Sequence, residues 1–171
     1  MLNFQIGEKV VYPNQGVGVV QNISTRSFGA RAEHFYLLRL SSSSMTVMVP
    51  FSHVDDIGIR KITRNGEISK VLGFLSTGRC RRCEDWKNRF KENSDKMRAG
   101  GLLAMAEVLK SLLLLQQMRK PLSFREKKML DRARQMLVSE ISISREISVL
   151  DTTEMLEKAL GKSALKMPAP L

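Results

Sequence analysis

The sequence predicts an α+β chain, a small N-terminal β-barrel followed by an all-helical domain. Three observations carry this. Apolar residues alternate with period two through the first sixty or so positions. The period becomes helical after Asn65-Gly66. Capping and breaking residues then mark out several helices in the second half. The expected organisation is a barrel over residues 1–65, a helical domain over 66–161 and a flexible tail over 162–171.

The elements follow in order. Val10-Val11-Tyr12 reads as a strand ended by Pro13, and Asn14-Gln15-Gly16 is turn material. Val17, Val19 and Ile23 alternate with Gly18, Val20 and Asn22. A turn-like Arg26–Ala32 leads to the strand His34–Leu40, and Ser41–Ser44 form the next turn. Met45, Val47 and Val49 alternate with Thr46 and Met48, which puts Val47 inside and Met48 outside, and Pro50 ends the ladder. Four or five strands this short bury an apolar face only by curling on themselves, so a small twisted barrel is the economical solution.

In the second half Ile68, Val71, Leu72 and Leu75 form the stripe of a short helix that Thr77-Gly78 breaks. A polar helix runs from about Glu84 to Ala99 and stops at Gly100-Gly101. Leu102, Met105, Ala106, Leu109, Leu112 and Leu113 give the next helix a broad apolar face, which places it at the centre of a bundle. Ser123-Phe124-Arg125-Glu126, after Pro121, is a capping box: Ser123 caps, and Glu126 reaches back to the free N–H. Leu130, Ala133, Leu137 and Ile141 then face the core, with Arg125, Lys128, Arg132 and Gln135 toward water. Asp151 to Glu154 open a last helix ending at Gly161, and the tail closes on Pro-Ala-Pro-Leu.

The 171 residues carry 28 Lys+Arg against 17 Asp+Glu, a net charge of +11 that calls for a polyanionic partner. The excess is uneven. Residues 1–73 hold 8 basic and 5 acidic side chains and residues 74–171 hold 20 and 12, so the polyanion-binding surface is expected on the helical half. No basic flank with an apolar run opens the sequence, so no secretory signal is read. The longest apolar run, Leu102–Leu115, contains Glu107 and Lys110 and is too short and too charged to span a bilayer. The expectation is a cytoplasmic protein without a membrane partner. His34 and His53 lack nucleophile motifs, no phosphate-binding loop is present, and Gly16-Val17-Gly18 lacks the third glycine of a dinucleotide fingerprint. No catalytic residue, metal site, cofactor or small-molecule substrate is expected.

Two motifs admit rival readings. Trp86, the single tryptophan, sits four residues before Phe90 within Arg79, Arg81, Arg82, Lys87, Arg89, Lys91, Lys96 and Arg98. The pair can pack into a core, or Trp86 can serve as an apolar wedge that unstacks a base step. Cys80-Arg81-Arg82-Cys83 is a lone C-x-x-C. Zinc needs two further ligands, no second C-x-x-C or H-x-x-x-H is present, and no thioredoxin-like pattern surrounds a redox pair.

Several segments together resemble the CarD/CdnL family of bacterial transcription regulators. They are Phe4–Pro13, Gly16-Val17-Gly18, Met45–Pro50, Gly58-Ile59-Arg60, Trp86–Asn93, Ala106-Glu107-Val108 and Leu122–Leu130. The first half also fits the polymerase-binding module of the transcription-repair coupling helicase, but the second half fits only CarD/CdnL and no helicase motif is present. The resemblance spans roughly residues 2–160 in order and spacing. It implies a Tudor-like barrel that binds the β-subunit lobe of RNA polymerase. It also implies a helical domain that touches promoter DNA at the upstream edge of the melted bubble and stabilises the open complex. Arg26, Leu38, Met48 and Pro50 match polymerase-facing positions. Trp86 matches the wedge tryptophan, and Arg89 and Lys91 match basic residues that approach the DNA backbone. Asn88 stands where many relatives carry another basic residue. The implied protein is not an enzyme, needs no cofactor, and associates with the nucleoid through polymerase. The rival readings are a stand-alone, nucleoid-like DNA-binding protein and a thiol redox protein using Cys80 and Cys83.

Overall fold

The computed structural model describes residues 3–81 and 85–171. The chain divides into two compact units, Met1–Ile62 and Thr63–Leu171. The boundary falls slightly before the change of period at Asn65-Gly66. Thr63 already belongs to the helical unit, because its N–H and hydroxyl both donate to buried Glu140, at 3.1 and 2.8 Å.

The first unit contains β1 (Lys9–Tyr12), β2 (Gly16–Phe28), β3 (Arg31–Leu40), β4 (Thr46–Pro50), a 3-10 turn (Phe51–His53), α1 (Val54–Ile57) and β5 (Arg60–Lys61). The strands form one antiparallel sheet in the order β4-β3-β2-β1-β5, the Tudor-like arrangement that the sequence implied. Its core is Phe4, Val10, Val20, Tyr36, Leu38, Val49, Val54 and Ile59. The Tyr36 hydroxyl accepts from the Phe4 N–H at 3.2 Å, and the Tyr36 ring stacks on Phe51 at 4.1 Å, so one side chain fastens both ends of the unit.

Arg26–Ala32 is not a long turn. Arg26 pairs with Glu33, Ser27 with Ala32 and Phe28 with Arg31, and the reversal takes only Gly29 and Ala30. Gly29 has φ +63°, the left-handed region that a side chain resists. Polar residues on both faces hid this part of the ribbon from a periodicity argument. Pro50 lies within β4, opposite Phe35, rather than beyond it. Its missing N–H is tolerated because β4 is an edge strand.

The second unit contains α2 (Asn65–Thr77), α3 (Trp86–Ala99), α4 (Leu102–Gln117), α5 (Phe124–Arg145) and α6 (Val149–Gly161). As expected, α4 is central: Leu102, Met105, Ala106, Leu109, Leu112 and Leu113 are all buried, and α2, α3 and α5 pack around it. The break between α3 and α4 requires glycine at 100. A Cβ there would lie 2.2 Å from the Ala104 Cβ and 2.6 Å from the Lys96 carbonyl oxygen. The capping box at α5 forms in full, with the Glu126 N–H donating to Ser123 Oγ and the Ser123 N–H donating to the Glu126 carboxylate. At α6 the cap is Ser148, which accepts from the Asp151 N–H at 2.9 Å, so the helix begins before Asp151. The segment expected to be a flexible tail is packed at its start. Leu165 is buried in the core, and Ser163 Oγ donates to the Leu75 and Ser76 carbonyls.

The one buried lysine, among the described residues, is explained by the same end of α2. Lys110 is 2% exposed, and its ammonium donates to the Phe74 carbonyl at 2.9 Å and the Gly78 carbonyl at 2.7 Å. It thus caps the negative C-terminal end of α2, as a charge at that end of a helix dipole should. Burial nevertheless pushes the Lys110 ammonium below its ordinary pKa of 10.5. Below the folded-state pKa both folded and unfolded chains are protonated and the cost of burying the charge is fully present. As pH rises toward 10.5 the folded chain sheds the proton first and the cost is relieved. Urea unfolding at stepped alkaline pH should therefore show the natural chain gaining stability relative to Lys110→Met as pH approaches 10.5. Parallel curves would contradict this assignment.

Candidate nucleic-acid and polymerase interfaces

Helix α3 is the most polar element of the second unit, and the way it is held decides what it shows. Counting back by fours from Met97 gives Asn93 and Arg89, and these three face inward. Met97 and Asn93 are buried, and the Arg89 side chain is 14% exposed. Arg89 Nε and one terminal nitrogen bond a single oxygen of Glu126, at 2.9 and 2.8 Å, and Glu126 is fully buried. Arg89 was expected at the DNA backbone. Instead it forms an internal ion pair that ties α3 to the start of α5. Lys91, two residues on, projects from the opposite side of the helix and is exposed.

Trp86 is the first residue of α3. Asp85 caps the helix by accepting from the Lys87 N–H at 3.1 Å. The indole is 42% exposed and lies against Phe90, with ring centroids 6.1 Å apart and planes 23° apart. The guanidinium of Arg125 sits 5.0 Å from the centre of the Phe90 ring. The outcome is neither pure core nor isolated wedge: Trp86 is half out, propped from behind by Phe90 and with a cation alongside. On α5 itself, Lys128 lies 4.7 Å from the ring centre of Phe124, which is exposed. Aromatic rings interleaved with cations suit nucleic acid, because rings stack on bases while cations meet phosphate. Sequence reading placed Arg125 and Lys128 in solvent and stopped there. Their position at the mouth of the capping box, beside Glu126 that holds α3, was the missing clue.

In the first unit the four expected polymerase-facing residues separate. Met48 is exposed and Val47 and Val49 turn inward, as alternation required. Arg26 is exposed, and Pro50 is half-buried. Leu38 is 1% exposed and packs in the core, so its side chain is not on a docking surface. The register gives the reason. Leu38 pairs with inward Val47, and the residue opposite Met48 is Leu37. Directly paired residues in a sheet share a face, so Leu37, Met48, Arg39 and Thr46 lie together on the outer side, with Phe35 and Pro50 beside them. The run Phe35–Leu38 is apolar at every position, so it could not say which leucine turns outward. The outward orientation of Met48 already fixed it.

Cys80 is half-buried, and burial pushes its thiol above the ordinary range. A nucleophilic thiol needs the opposite shift. Cys83 lies outside the described residues. Among the described residues no cluster of three potential ligands could hold a metal ion, and no helix is long and apolar enough to cross a membrane.

Comparison with known proteins matches both units. The family model described as the CarD-like/TRCF RID domain matches residues 4–63, and that of the CarD C-terminal domain matches residues 70–157. The chain belongs to the CarD/CdnL family. A relative from Bacillus subtilis (strain 168), YdeB, named as a candidate transcription factor, is 35% identical over 145 residues, covering 85% of this chain and 94% of its own. The solution structure of the 72-residue N-terminal domain of Myxococcus xanthus CarD is 38% identical, over 36% of this chain and 81% of that one, at a TM-score of 0.30. In this CarD-family chain the Trp86–Asn93 segment lies within the C-terminal match, and the outer face of β3 and β4 lies within the N-terminal one.

The Arg89 assignment is tested by stability. Arg89→Ala leaves Glu126 buried without its partner and should cost about 3–5 kcal/mol in denaturant unfolding. Arg89→Met combined with Glu126→Gln removes both charges and should recover much of that loss. A loss under about 1 kcal/mol for Arg89→Ala would return Arg89 to the surface.

Proposed function

We propose that this chain, a CarD-like transcription regulator, acts in the cytoplasm without catalysing a reaction. Its sheet docks on the β-subunit lobe of RNA polymerase, and its helical unit delivers Trp86 to promoter DNA at the upstream edge of the bubble. The observation that carries this reading is the presentation of Trp86: half exposed, at the tip of α3, stacked on Phe90 beside the Arg125 guanidinium. An apolar ring so placed fills a base step that has already begun to open, and does so without reading many bases. Lys91, Arg125 and Lys128 supply sequence-independent attraction to the backbone.

The energetics need no chemical step. A factor that binds the open complex more tightly than the closed one shifts the population by that difference. Neither unit has to bind tightly alone, because docking of one raises the effective concentration of the other. The polymerase contact is read as the outer face of β3 and β4, with Met48, Leu37 and Pro50 as its apolar part and Arg26 and Arg39 as its charged part.

Two experiments test this. Met48→Asp should fold normally, since the side chain points outward, and should weaken binding to the purified β lobe about tenfold or more, a loss of about 1.4 kcal/mol. Unchanged affinity would remove this face from the proposal. Trp86→Ala should cost less than about 1.5 kcal/mol of stability, the scale of an aromatic pair, rather than the 3–5 kcal/mol or so of a core aromatic. The lifetime of competitor-challenged promoter complexes should fall about tenfold while β-lobe binding is preserved. An unaltered lifetime, or equally tight binding to plain duplex without polymerase, would favour the nucleoid-like alternative.

A further inference from the structure

The helical unit contains a groove of about 670 Å³ lined by residues of α2, α3 and α4. Phe74, Leu114, Leu115 and Met118 give it an apolar wall, and Arg79, Arg81 and Lys120 are exposed along it. Of its carboxylates, Glu107 is paired with Lys96 at 3.1 Å and Asp95 with Arg98 at 2.7 Å, which leaves Glu92 against three cations. The volume is that of a site for a small organic ligand.

Asn93 also lines this groove. It is 5% exposed, and its Nδ2 has no hydrogen-bond partner among the described residues. A buried amide donor left unmade is costly, and such groups are rare in folded proteins. Its position in the middle of the inward stripe of α3, between Arg89 and Met97, would suit leucine or methionine. The Nδ2 atom is closed to solvent in this conformation, so an acceptor from outside the chain satisfies it once the amide turns toward the groove.

We propose that this groove binds an amphipathic organic anion. Its apolar body lies against Leu114, Leu115 and Met118, one of its oxygens accepts from Asn93 Nδ2, and its charge lies in the field of Arg79, Arg81 and Lys120. A neutral apolar molecule gains from the wall but nothing from the cations. A cation meets the wrong field. The inference concerns this groove and does not depend on the reading of Trp86.

Cys80 lines the same groove and reports on it. The test uses the full chain carrying Cys83→Ser, with alkylation of Cys80 by neutral iodoacetamide as the readout. The probes are decanoate below its micellar range and decanol, equal in chain length and different in charge. Decanoate should slow alkylation saturably, by about fivefold or more at saturation, and decanol by less than about twofold. Asn93→Leu should melt no lower than its parent, because it removes an unsatisfied donor, and should weaken decanoate binding about tenfold. Arg81→Glu with Lys120→Glu, both exposed, should abolish the difference between the two probes. Equal protection by both probes or undiminished decanoate binding by Asn93→Leu would overturn the proposal, and protection by neither would mean that solvent alone fills the groove.

Discussion

One buried carboxylate organises the second half of this molecule. Glu126 accepts from the Ser123 N–H and so closes the capping box of α5, and it also takes both Arg89 contacts from α3. A fully buried anion is stable only with such partners. The consequence is geometric. Helix α3 contributes little apolar surface of its own, with Met97 as its buried hydrophobic residue among those described. A polar helix of this kind needs a specific tether to keep one orientation, and the Arg89–Glu126 pair provides it. With Arg89 turned inward, Trp86 and Phe90 lie on the flank that meets Arg125, and Lys91 lies opposite. The charge that looked most suited to DNA instead aims the residue that follows from it.

The same logic recurs elsewhere in the helical unit. Lys110 closes the C-terminal end of α2, Glu140 holds Thr63 where the chain enters the unit, and Ser163 ties the segment after α6 to the end of α2. Each uses one polar group, buried for Lys110 and Glu140 and half-buried for Ser163, to satisfy backbone that packing would otherwise leave unpaired. Asn93 is the exception, which is why its groove stands out. In the sheet unit, specificity comes from register. The irregularity between Val20 and Asn22 and the pairing of Leu37 with Met48 decide which side chains face out.

Much of this was legible in the sequence, and the failures have physical causes. The starts and core faces of α2, α4 and α5 are legible, because apolar periodicity and the Ser123–Glu126 box are strong local signals. The outward Met48 followed from alternation alone. The β2–β3 ribbon was shortened because Arg26–Ala32 carries polar residues on both faces, where period two leaves no trace. The resemblance implies Leu38 on the polymerase-facing surface, and the four consecutive apolar residues Phe35–Leu38 give no register against which to check it. The resemblance to CarD/CdnL implies Arg89 at the DNA backbone, and a matched position does not say which way a side chain turns. The stripe Arg89, Asn93, Met97 held the answer, but only the opposing Glu126, on another helix, makes an inward arginine reasonable. Long-range partners are the part that single-chain patterns carry least.

The account turns on α3 offering Trp86 to opened DNA, and the protein contains a built-in probe of that event. Trp86 is the only tryptophan, so intrinsic emission reports on this one side chain. At low salt the free chain should show a solvent-accessible indole, readily quenched by acrylamide. Titration with a short duplex ending in a melted, bubble-like edge should shift the emission and protect the indole from acrylamide. A fully paired duplex of the same sequence should do so far less, because unstacking a closed step costs a few kcal/mol. Emission that is already inaccessible in the free chain, or that responds equally to both DNAs, would contradict the account.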